Sequence, residues 1–193
     1  EFRRVNTDGT LRLAEQAAAA GVKRFIFLST TKVTGELSPP SGFSETDPAQ
    51  PEDGYGVSKW EAEQALLEIS KTTSMEVVIL RPPLVYGPGV KGNFLTLLKA
   101  VDRGTVLPLG AIQNQRSLIY VGNLADVIVT ATTHADAANQ TFFVSDEGTV
   151  STTSLIENIA ASLNKKPRLI NLPPGLLKFA GALTGKSGAI QRL

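Results

Sequence analysis

The sequence has no cysteine and, across its 193 residues, a single histidine, His134. Without thiols it cannot form a disulfide framework or a thiolate metal site, and one imidazole is too few for most zinc or iron sites. The charges are balanced, 19 basic against 18 acidic, and no long basic run suggests a nucleic-acid footprint. No apolar run approaches the roughly 20 residues of a membrane-spanning helix, and no signal peptide is visible. We therefore expect a cytoplasmic globular protein that binds neither nucleic acid nor a membrane.

Helical and strand patterns alternate along almost the whole chain. Helices are expected at about 5–20, 54–71, 93–103, 122–134, 152–163 and 174–184, and strands at about 23–29, 75–81, 106–109, 116–121, 140–146 and 168–172. This alternation predicts an α/β fold with a parallel sheet covered by helices on both faces. Because ligands bind beyond the carboxyl ends of such strands, the segments to search are 29–35, 81–92 and 120–126. The long loop 34–54 is of a length that is usually functional or disordered.

Three motifs look functional but lack the surroundings that their chemistry needs. Gly87–Gly92 matches the dinucleotide fingerprint G-x-G-x-x-G, yet prolines separate it from the expected strand and no acidic strand end follows about 20 residues later. Gly185-Lys186-Ser187 lacks the earlier glycine of a phosphate-binding loop, because Ala180 occupies that position. A Ser-His-Asp hydrolase would need His134, and no G-x-S-x-G motif accompanies it. We interpret these features as turns and a surface histidine.

The chemistry is expected at Tyr55 and Lys59, four residues apart at the start of a predicted helix. That spacing places both side chains on one helical face. A tyrosine hydroxyl has a reference pKa of about 10, and a neighbouring ammonium lowers this pKa by favouring the phenolate. The pair can then act as an acid–base group. Ser29, Thr30 and Thr31 follow a predicted strand about 25 residues earlier, where their hydroxyls could bond the same substrate oxygen.

Together these motifs resemble the extended short-chain dehydrogenase/reductase superfamily, and most closely its NAD-dependent nucleotide-sugar epimerase/dehydratase branch, typified by UDP-glucose 4-epimerase. The resemblance covers nearly all of the chain. It is carried by Asn6-Thr7-Asp8-Gly9-Thr10, Ser29-Thr30-x-x-Val33-x-Gly35, Tyr55-x-x-x-Lys59, Arg81-Pro82-x-x-Val85-Tyr86-Gly87-Pro88-Gly89, Arg116-Ser117 and Tyr120-Val121-x-Asn123-Leu124-Ala125-Asp126. It implies a Rossmann-like, doubly wound parallel sheet with a small substrate-binding lobe. The sheet and its helices would occupy about 1–85 and 115–146, and the lobe about 86–114 and 147–193.

The resemblance also implies roles for individual residues. Tyr55 would be the catalytic acid–base, Lys59 would lower its pKa and hold the nicotinamide ribose, and Thr30 would bond the reacting hydroxyl. The cofactor, NAD or NADP, would contact Asn6, Ser29, Tyr55, Lys59, Pro82 and Leu84. The nucleotide-sugar would contact Thr31, Asn93 and Arg116. The resemblance implies no metal. It implies a homodimer built from helices 5–20 and 54–71 of both subunits.

The chain departs from the family pattern in three places. The glycine-rich first βα turn and the residue that distinguishes NAD from NADP are not found in the 193 residues, so the resemblance leads us to expect that roughly the first three strands of the family fold are not included. We therefore expect the 193 residues alone to be inactive, with an unpaired edge at strand 23–29. Thr31 and Lys32 stand where related 4,6-dehydratases carry Asp and Glu, which disfavours dehydration. Leu84 stands where UDP-hexose epimerases often carry asparagine.

The implied function is NAD-dependent epimerisation of a nucleotide-sugar through a transient keto intermediate. One alternative is an NAD(P)-dependent reductase or dehydrogenase of the same superfamily that acts on a non-sugar substrate. Another is a non-catalytic nucleotide-binding protein that keeps the fold, which the intact set Thr30, Tyr55 and Lys59 disfavours. Retained NAD with no net redox change would favour the epimerase, whereas stoichiometric turnover of NAD(P)H would favour the reductase.

Overall fold

The computed structural model describes residues 1–173 and Gly175. The chain divides into two compact units. Unit 1 consists of Glu1–Val85 and Ile119–Asp146, and unit 2 consists of Tyr86–Leu118 and Glu147–Leu193. The helix expected at 174–184 and the run Gly185-Lys186-Ser187 lie outside the described residues.

The described residues contain five α-helices and five strands. The helices are α1 (Gly9–Ala19), α2 (Gly54–Thr72), α3 (Gly92–Asp102), α4 (Val121–Thr133) and α5 (Thr152–Ser162). The strands are β1 (Arg24–Leu28), β2 (Glu76–Arg81), β3 (Leu84–Tyr86), β4 (Leu118–Tyr120) and β5 (Thr141–Phe143). A π-helical segment, Arg3–Asp8, leads into α1, and 3₁₀ turns cover Thr31–Val33 and Ala135–Ala137.

The main sheet of unit 1 has the strand order β1-β2-β5, and both of its strand pairs are parallel. β1 and β2 are paired from Arg24 opposite Glu76 to Leu28 opposite Leu80, and β5 pairs with the last three residues of β2. The carboxyl ends of β1 and β2 therefore lie side by side. β3 and β4 form a separate two-stranded sheet.

Helices cover the main sheet on both sides, because successive strand residues point to opposite faces. On one side, which we call the α2 face, Phe27, Val77 and Ile79 pack against α1 and α2. On the other side, the α4 face, Val78 and Leu80 pack against α4. All four residues from Val77 to Leu80 are at most 1% exposed. The expected α/β fold with a parallel sheet is thereby confirmed.

Unit 2 is built around α3 and α5. Phe94 and Val101 of α3 form an apolar core with Ile156, Ile159 and Ala160 of α5. The side chains of α3 and α5 that face each other are apolar, so burial of these two helical stripes supplies the hydrophobic stabilisation of this unit.

Two of the expected strands are wrong. The segments 106–109 and 168–172 form no strand and share only one parallel bridge, between Leu107 and Leu169. Beyond this bridge the Ile170 carbonyl accepts from the Gly110 amide at 3.1 Å, one residue past the position that a regular parallel ladder would use, so no strand pair forms. The strand expected at 116–121 is shortened to β4, and β3 was not expected because it follows two prolines directly.

Candidate active site

The turn after β1 is tied to the end of β2. The Ser29 amide donates to the Leu80 carbonyl at 2.7 Å, and the Thr31 amide donates to the Pro82 carbonyl at 3.2 Å. Thr30 caps the 3₁₀ turn, because its Oγ1 accepts a hydrogen bond from the Lys32 amide at 3.3 Å. This bond uses the Thr30 oxygen as an acceptor and leaves its hydroxyl hydrogen to donate. The hydroxyl expected to bond the reacting oxygen is thus held at the carboxyl edge of the sheet.

Ser29 is buried, and its hydroxyl has no hydrogen-bond partner among the described residues. Only 4% of this residue is exposed. Leaving a buried polar group unsatisfied costs about 1–3 kcal/mol. Since Ser29 directly follows β1, at the edge where parallel sheets bind ligands, a bound ligand would satisfy this hydroxyl.

Lys59 reaches back from the second turn of α2 to the last residue of β1. Its ammonium donates to the Leu28 carbonyl at 2.9 Å and lies 4.6 Å from the centre of the Phe27 ring. Burial lowers the pKa of Lys59, and the charge of Glu63 opposes this shift. A cation is therefore fixed next to the turn that carries Ser29.

Tyr55 lies in the first turn of α2. Asp53 caps this helix, because its Oδ1 accepts a hydrogen bond from the Gly56 amide at 2.7 Å. The half-buried Tyr55 ring meets Phe2 edge-on at a centroid distance of 5.9 Å. Burial raises the pKa of Tyr55, the charge of Asp53 raises it further, and the charge of Lys32 opposes both.

The expected lowering of the Tyr55 pKa by Lys59 is not found in this structure. The pKa of Tyr55 is raised, because burial is the largest effect on it. The ammonium of Lys59 is engaged by the Leu28 carbonyl instead. The four-residue spacing places Tyr55 and Lys59 on one side of α2, but the Lys59 ammonium bonds the Leu28 carbonyl and not the Tyr55 hydroxyl.

A buried ion pair on the α2 face was not anticipated. Arg81, the last residue of β2, donates through Nε and Nη2 to the two Glu63 carboxylate oxygens at 3.0 and 2.6 Å. The two side chains are 9% and 1% exposed. Tyr55, Lys59 and Glu63 recur every four residues, so the spacing that identified the first two predicts the third on the same helical stripe.

A cluster of Lys32, Glu36 and Asp53 was also missed. The Lys32 ammonium donates to Glu36 Oε1 at 2.6 Å and to Asp53 Oδ2 at 2.8 Å. Burial alone would lower the pKa of Lys32, but the bonds to Asp53 and Glu36 outweigh it and the pKa is raised. Burial would raise the pKa of Asp53, and the bonds from Gly56 and Lys32 outweigh it, so this pKa is lowered.

The other ligand contacts expected in unit 1 lie at separate points. Pro82 is buried directly after β2, Thr31 is half-buried in the 3₁₀ turn, and Leu84 is 41% exposed at the start of β3. The Asn6 side-chain amide donates to Ser58 Oγ of α2 at 3.0 Å. Asn6 therefore joins the π-helical segment to α2, and its contact with a cofactor stays a prediction.

The remaining two substrate candidates belong to unit 2. Asn93 is exposed in the first turn of α3. Arg116 is half-buried, and its backbone exchanges two 2.9 Å hydrogen bonds with Val150. Burial lowers the pKa of Arg116. A guanidinium suits the oxygens of a diphosphate, so its expected role is chemically reasonable and stays a prediction.

The structure does not support a functional role for Gly87–Gly92 or His134. Contrary to expectation, a strand does end directly before Gly87–Gly92, since β3 ends at Tyr86 and α3 begins at Gly92. β3 pairs only with β4, outside the main parallel sheet, so the βαβ setting of the fingerprint is still missing. His134 is exposed where α4 ends, as expected of a surface histidine.

The structure adds two further findings on the described residues. None of their helices has the length and apolar character needed to cross a membrane. Among the same residues, no group of three or more metal-binding side chains could hold an ion.

Comparison with known proteins identifies the family of this chain. Residues 1–144 match the NAD dependent epimerase/dehydratase family. The chain is 49% identical over 196 residues to the UDP-glucose 4-epimerase of Vibrio cholerae, covering 100% of this chain and 59% of that protein. It is 31% identical to the N-acetyl-alpha-D-glucosaminyl-diphospho-ditrans,octacis-undecaprenol 4-epimerase of Escherichia coli O157:H7, covering 96% of this chain and 58% of that protein.

The fold is similar to that of a solved structure as well. The structure of MoeE5 in complex with UDP-glucose and NAD superposes with a TM-score of 0.74 at 25% identity, covering 86% of this chain and 57% of that one. The chain therefore spans little more than half the length of the proteins it matches.

Proposed function

Since this chain belongs to the NAD dependent epimerase/dehydratase family, we propose that it carries the acid–base residues of a nucleotide-sugar epimerase, with a UDP-hexose as substrate and C4 as the reacting carbon. One arrangement carries the proposal. Tyr55 lies in the first turn of α2, and the Lys59 ammonium bonds the carbonyl of Leu28, the last residue of β1, two residues before Thr30. The 49% identity to a UDP-glucose 4-epimerase supports this choice of reaction.

The residues at the end of β1 fit the ribose and nicotinamide of NAD. The Ser29 hydroxyl has no hydrogen-bond partner among the described residues and could bond a ribose hydroxyl, and the Lys59 ammonium has three hydrogens, of which one is used by Leu28. Pro82 and Leu84 follow β2 at the neighbouring strand end, where the nicotinamide would lie. NAD supplies the hydride acceptor, and NADP is an alternative that this part of the chain does not distinguish.

Proton transfer is assigned to Tyr55. In the proposed reaction Tyr55 Oη takes the proton of the sugar 4-hydroxyl, while Thr30 Oγ1 donates a hydrogen bond to the same oxygen. Bound NAD would accept the hydride from C4 and later return it to the other face of the 4-keto sugar. Tyr55 would hold the hydroxyl proton meanwhile and give it back to the same oxygen. Burial raises the pKa of Tyr55. For Tyr55 to accept the proton near neutral pH, Lys59 has to oppose this effect by favouring the phenolate.

We assign the dinucleotide to residues of unit 1. Asn93 and Arg116 are proposed, from the family resemblance, to contact the diphosphate or base of the nucleotide-sugar, and Thr31 is proposed as a further substrate contact. Leu84 replaces an asparagine that is common in UDP-hexose epimerases, so we expect the sugar to be held differently at that point. Cytoplasmic localisation stays a prediction.

A 4,6-dehydratase is disfavoured by the residues after Thr30. Elimination of water across the sugar ring needs a carboxylic acid, and Thr31 and Lys32 offer none. Lys32 is moreover engaged by Glu36 and Asp53. Accumulation of a 4-keto-6-deoxy sugar in an assay of the full-length protein would contradict this prediction.

A homodimer is proposed through α1, α2 and the π-helical segment. Ala14, Ala62 and Leu66 are buried in the core of unit 1 and do not contribute to the surface. Leu13 of α1 nevertheless remains 59% exposed and Val5 60% exposed, which leaves an apolar surface for a second copy. Light scattering of the full-length protein tests this, and a monomer at micromolar concentration would contradict it.

The decisive experiment is an assay of the full-length protein with UDP-glucose. We expect UDP-galactose to form with NAD retained and no net NADH. Stoichiometric consumption of NAD(P)H with a non-sugar ketone, and no epimerisation, would instead identify a reductase of the superfamily. Binding of nucleotide without either reaction would identify a non-catalytic protein.

Residues 1–193 alone are expected to bind NAD weakly and to be inactive. The glycine-rich turn that would hold the pyrophosphate in this family is not in the sequence. Calorimetric titration of this chain with NAD tests the prediction. A dissociation constant in the low micromolar range would contradict it and direct attention to Gly87–Gly92.

A further inference from the structure

The cluster of Lys32, Glu36 and Asp53 has no task in the proposed reaction, although it lies beside Tyr55. Lys32 is 33% exposed and Glu36 is 16% exposed, so the ammonium is partly withdrawn from water between two carboxylates. Lys32 comes two residues after Thr30, and Asp53 comes two residues before Tyr55. The ion pair therefore joins the segments that carry the two residues assigned to the substrate hydroxyl.

The backbone beneath this ion pair is closely packed. A Cβ on Gly56 would lie 2.9 Å from the Lys32 carbonyl oxygen and 3.1 Å from Pro51 Cβ. The Gln50 amide also donates to the Val33 carbonyl at 3.0 Å. The 3₁₀ turn and the first turn of α2 thus touch through main chain and side chain together.

The charges around Tyr55 are few. Asp53 and Lys32 act on it with opposite sign. Glu36 is held by Lys32, and the next cation along α2, Lys59, is directed to a β1 carbonyl. In the π-helical segment, Arg3 is paired with Glu61, and the ring that touches Tyr55 is the uncharged Phe2.

We propose that Lys32 is a positioning residue that offsets the Asp53 carboxylate beside Tyr55 and holds the Thr30 turn against the first turn of α2. The idea rests on the proposed role of Tyr55 as the acid–base. Without the ammonium, the Asp53 carboxylate would act unopposed on the phenol and disfavour the phenolate. Without the Asp53 charge, the ammonium, still bonded to Glu36, would favour the phenolate.

The test is a spectrophotometric titration of the Tyr55 phenolate in the full-length, NAD-loaded protein, taken as the difference from Tyr55→Phe. We expect Lys32→Met to move the Tyr55 titration to higher pH and Asp53→Asn to move it to lower pH. Asparagine retains the ability to cap the helix, so the second variant removes mainly the charge. Lys32→Arg should stay near the wild type. Lys71→Met, which removes a lysine from the exposed pair with Glu68 on the same helix, should cause no shift.

Opposite shifts in the two variants support the proposal, whereas no shift, or shifts in one direction, overturn it. If Lys32→Met does not fold, Asp53→Asn decides alone by the sign of its shift. Because the titration needs no substrate, it stays interpretable even if the protein does not epimerise a nucleotide-sugar. In an active enzyme, Lys32→Met should lower kcat near neutral pH and recover it as the pH is raised. A purely structural loss would not recover in this way.

Discussion

The two faces of the unit 1 sheet use the same strands for different purposes. On the α2 face, Val77 and Ile79 are followed by Arg81, whose charge is buried against Glu63. On the α4 face, Val78 and Leu80 belong to an apolar core with Ala131 and Ala137, and a cleft of about 440 Å³ lies beside Leu80. The residues assigned to acid–base chemistry are on α2 or on the turn joined to it.

Neighbouring residues of β2 therefore have different surroundings. Successive side chains of a strand point to opposite faces of the sheet, so Arg81 meets a charged partner whereas Leu80, one residue earlier, lies in an apolar core. Substitutions of the charged and catalytic residues on the α2 side should therefore affect ionisation or turnover as well as stability, whereas those on the α4 face should affect stability alone. Four predictions test this comparison, all in the full-length protein.

The largest effect is expected from Tyr55→Phe. This change removes the acid–base while keeping the ring that packs on Phe2, so turnover should fall about 10²–10⁴-fold. Cofactor binding, measured by calorimetry, should change little. The matched control is Thr130→Val, which removes an exposed hydroxyl from α4 and should leave the rate unchanged. Turnover of the Tyr55→Phe variant within threefold of the wild type would refute the assignment.

Breaking the buried ion pair should cost the most stability. Glu63→Gln leaves the Arg81 charge buried without a counter-ion, and such changes destabilise by about 3–5 kcal/mol. The double variant Glu63→Leu/Arg81→Met should recover most of this loss in denaturant unfolding, because no charge remains buried. Glu68→Gln, in the exposed pair of the same helix, should cost at most about 0.5 kcal/mol. A single-variant loss no larger than that of Glu68→Gln would show that the pair is not effectively buried.

Adjacent core residues allow the packing of the two faces to be compared directly. Ile79→Ala should fall in the upper half of the usual range of about 2–5 kcal/mol, because Ile79 lies in a closed core at 0% exposure. Leu80→Ala should fall in the lower half, because Leu80 already lines the cleft and its neighbours can relax into the space. Denaturant unfolding measures both, and the reverse order would contradict the comparison.

The smallest effect is expected from pH. The pKa of Asp53 is lowered in the folded state, so its contribution to the free energy of unfolding is present above the unfolded pKa and is lost as the pH falls through the folded one. Its side chain is 39% exposed, which limits the contribution to below about 1 kcal/mol. Between pH 5 and pH 3, the wild type should lose slightly more stability than Asp53→Asn. Equal losses would show that Lys32 and Gly56 do not stabilise the carboxylate.

Much of the fold and part of the site could be predicted because their signals are local. The apolar runs at 23–29 and 75–81 predicted buried strands, and the structure places β1 and β2 there. The four-residue spacing of Tyr55 and Lys59 predicted one helical stripe, since a helix repeats every 3.6 residues. Where the local signal was weak, at Pro108 and after Pro83, strands were wrongly expected or missed.

The periodicity of neighbouring residues predicted the order of α1 to α5 and of the main-sheet strands β1, β2 and β5, and the side of α2 on which Tyr55 and Lys59 lie. Folding was needed to pair Lys32 with Asp53, 21 residues away, and Glu63 with Arg81, 18 residues away. It also decided that the pKa of Tyr55 is raised and that Lys59 is directed to a strand carbonyl. Burial and charge act through space, so their sum at one phenol depends on segments that only folding brings together.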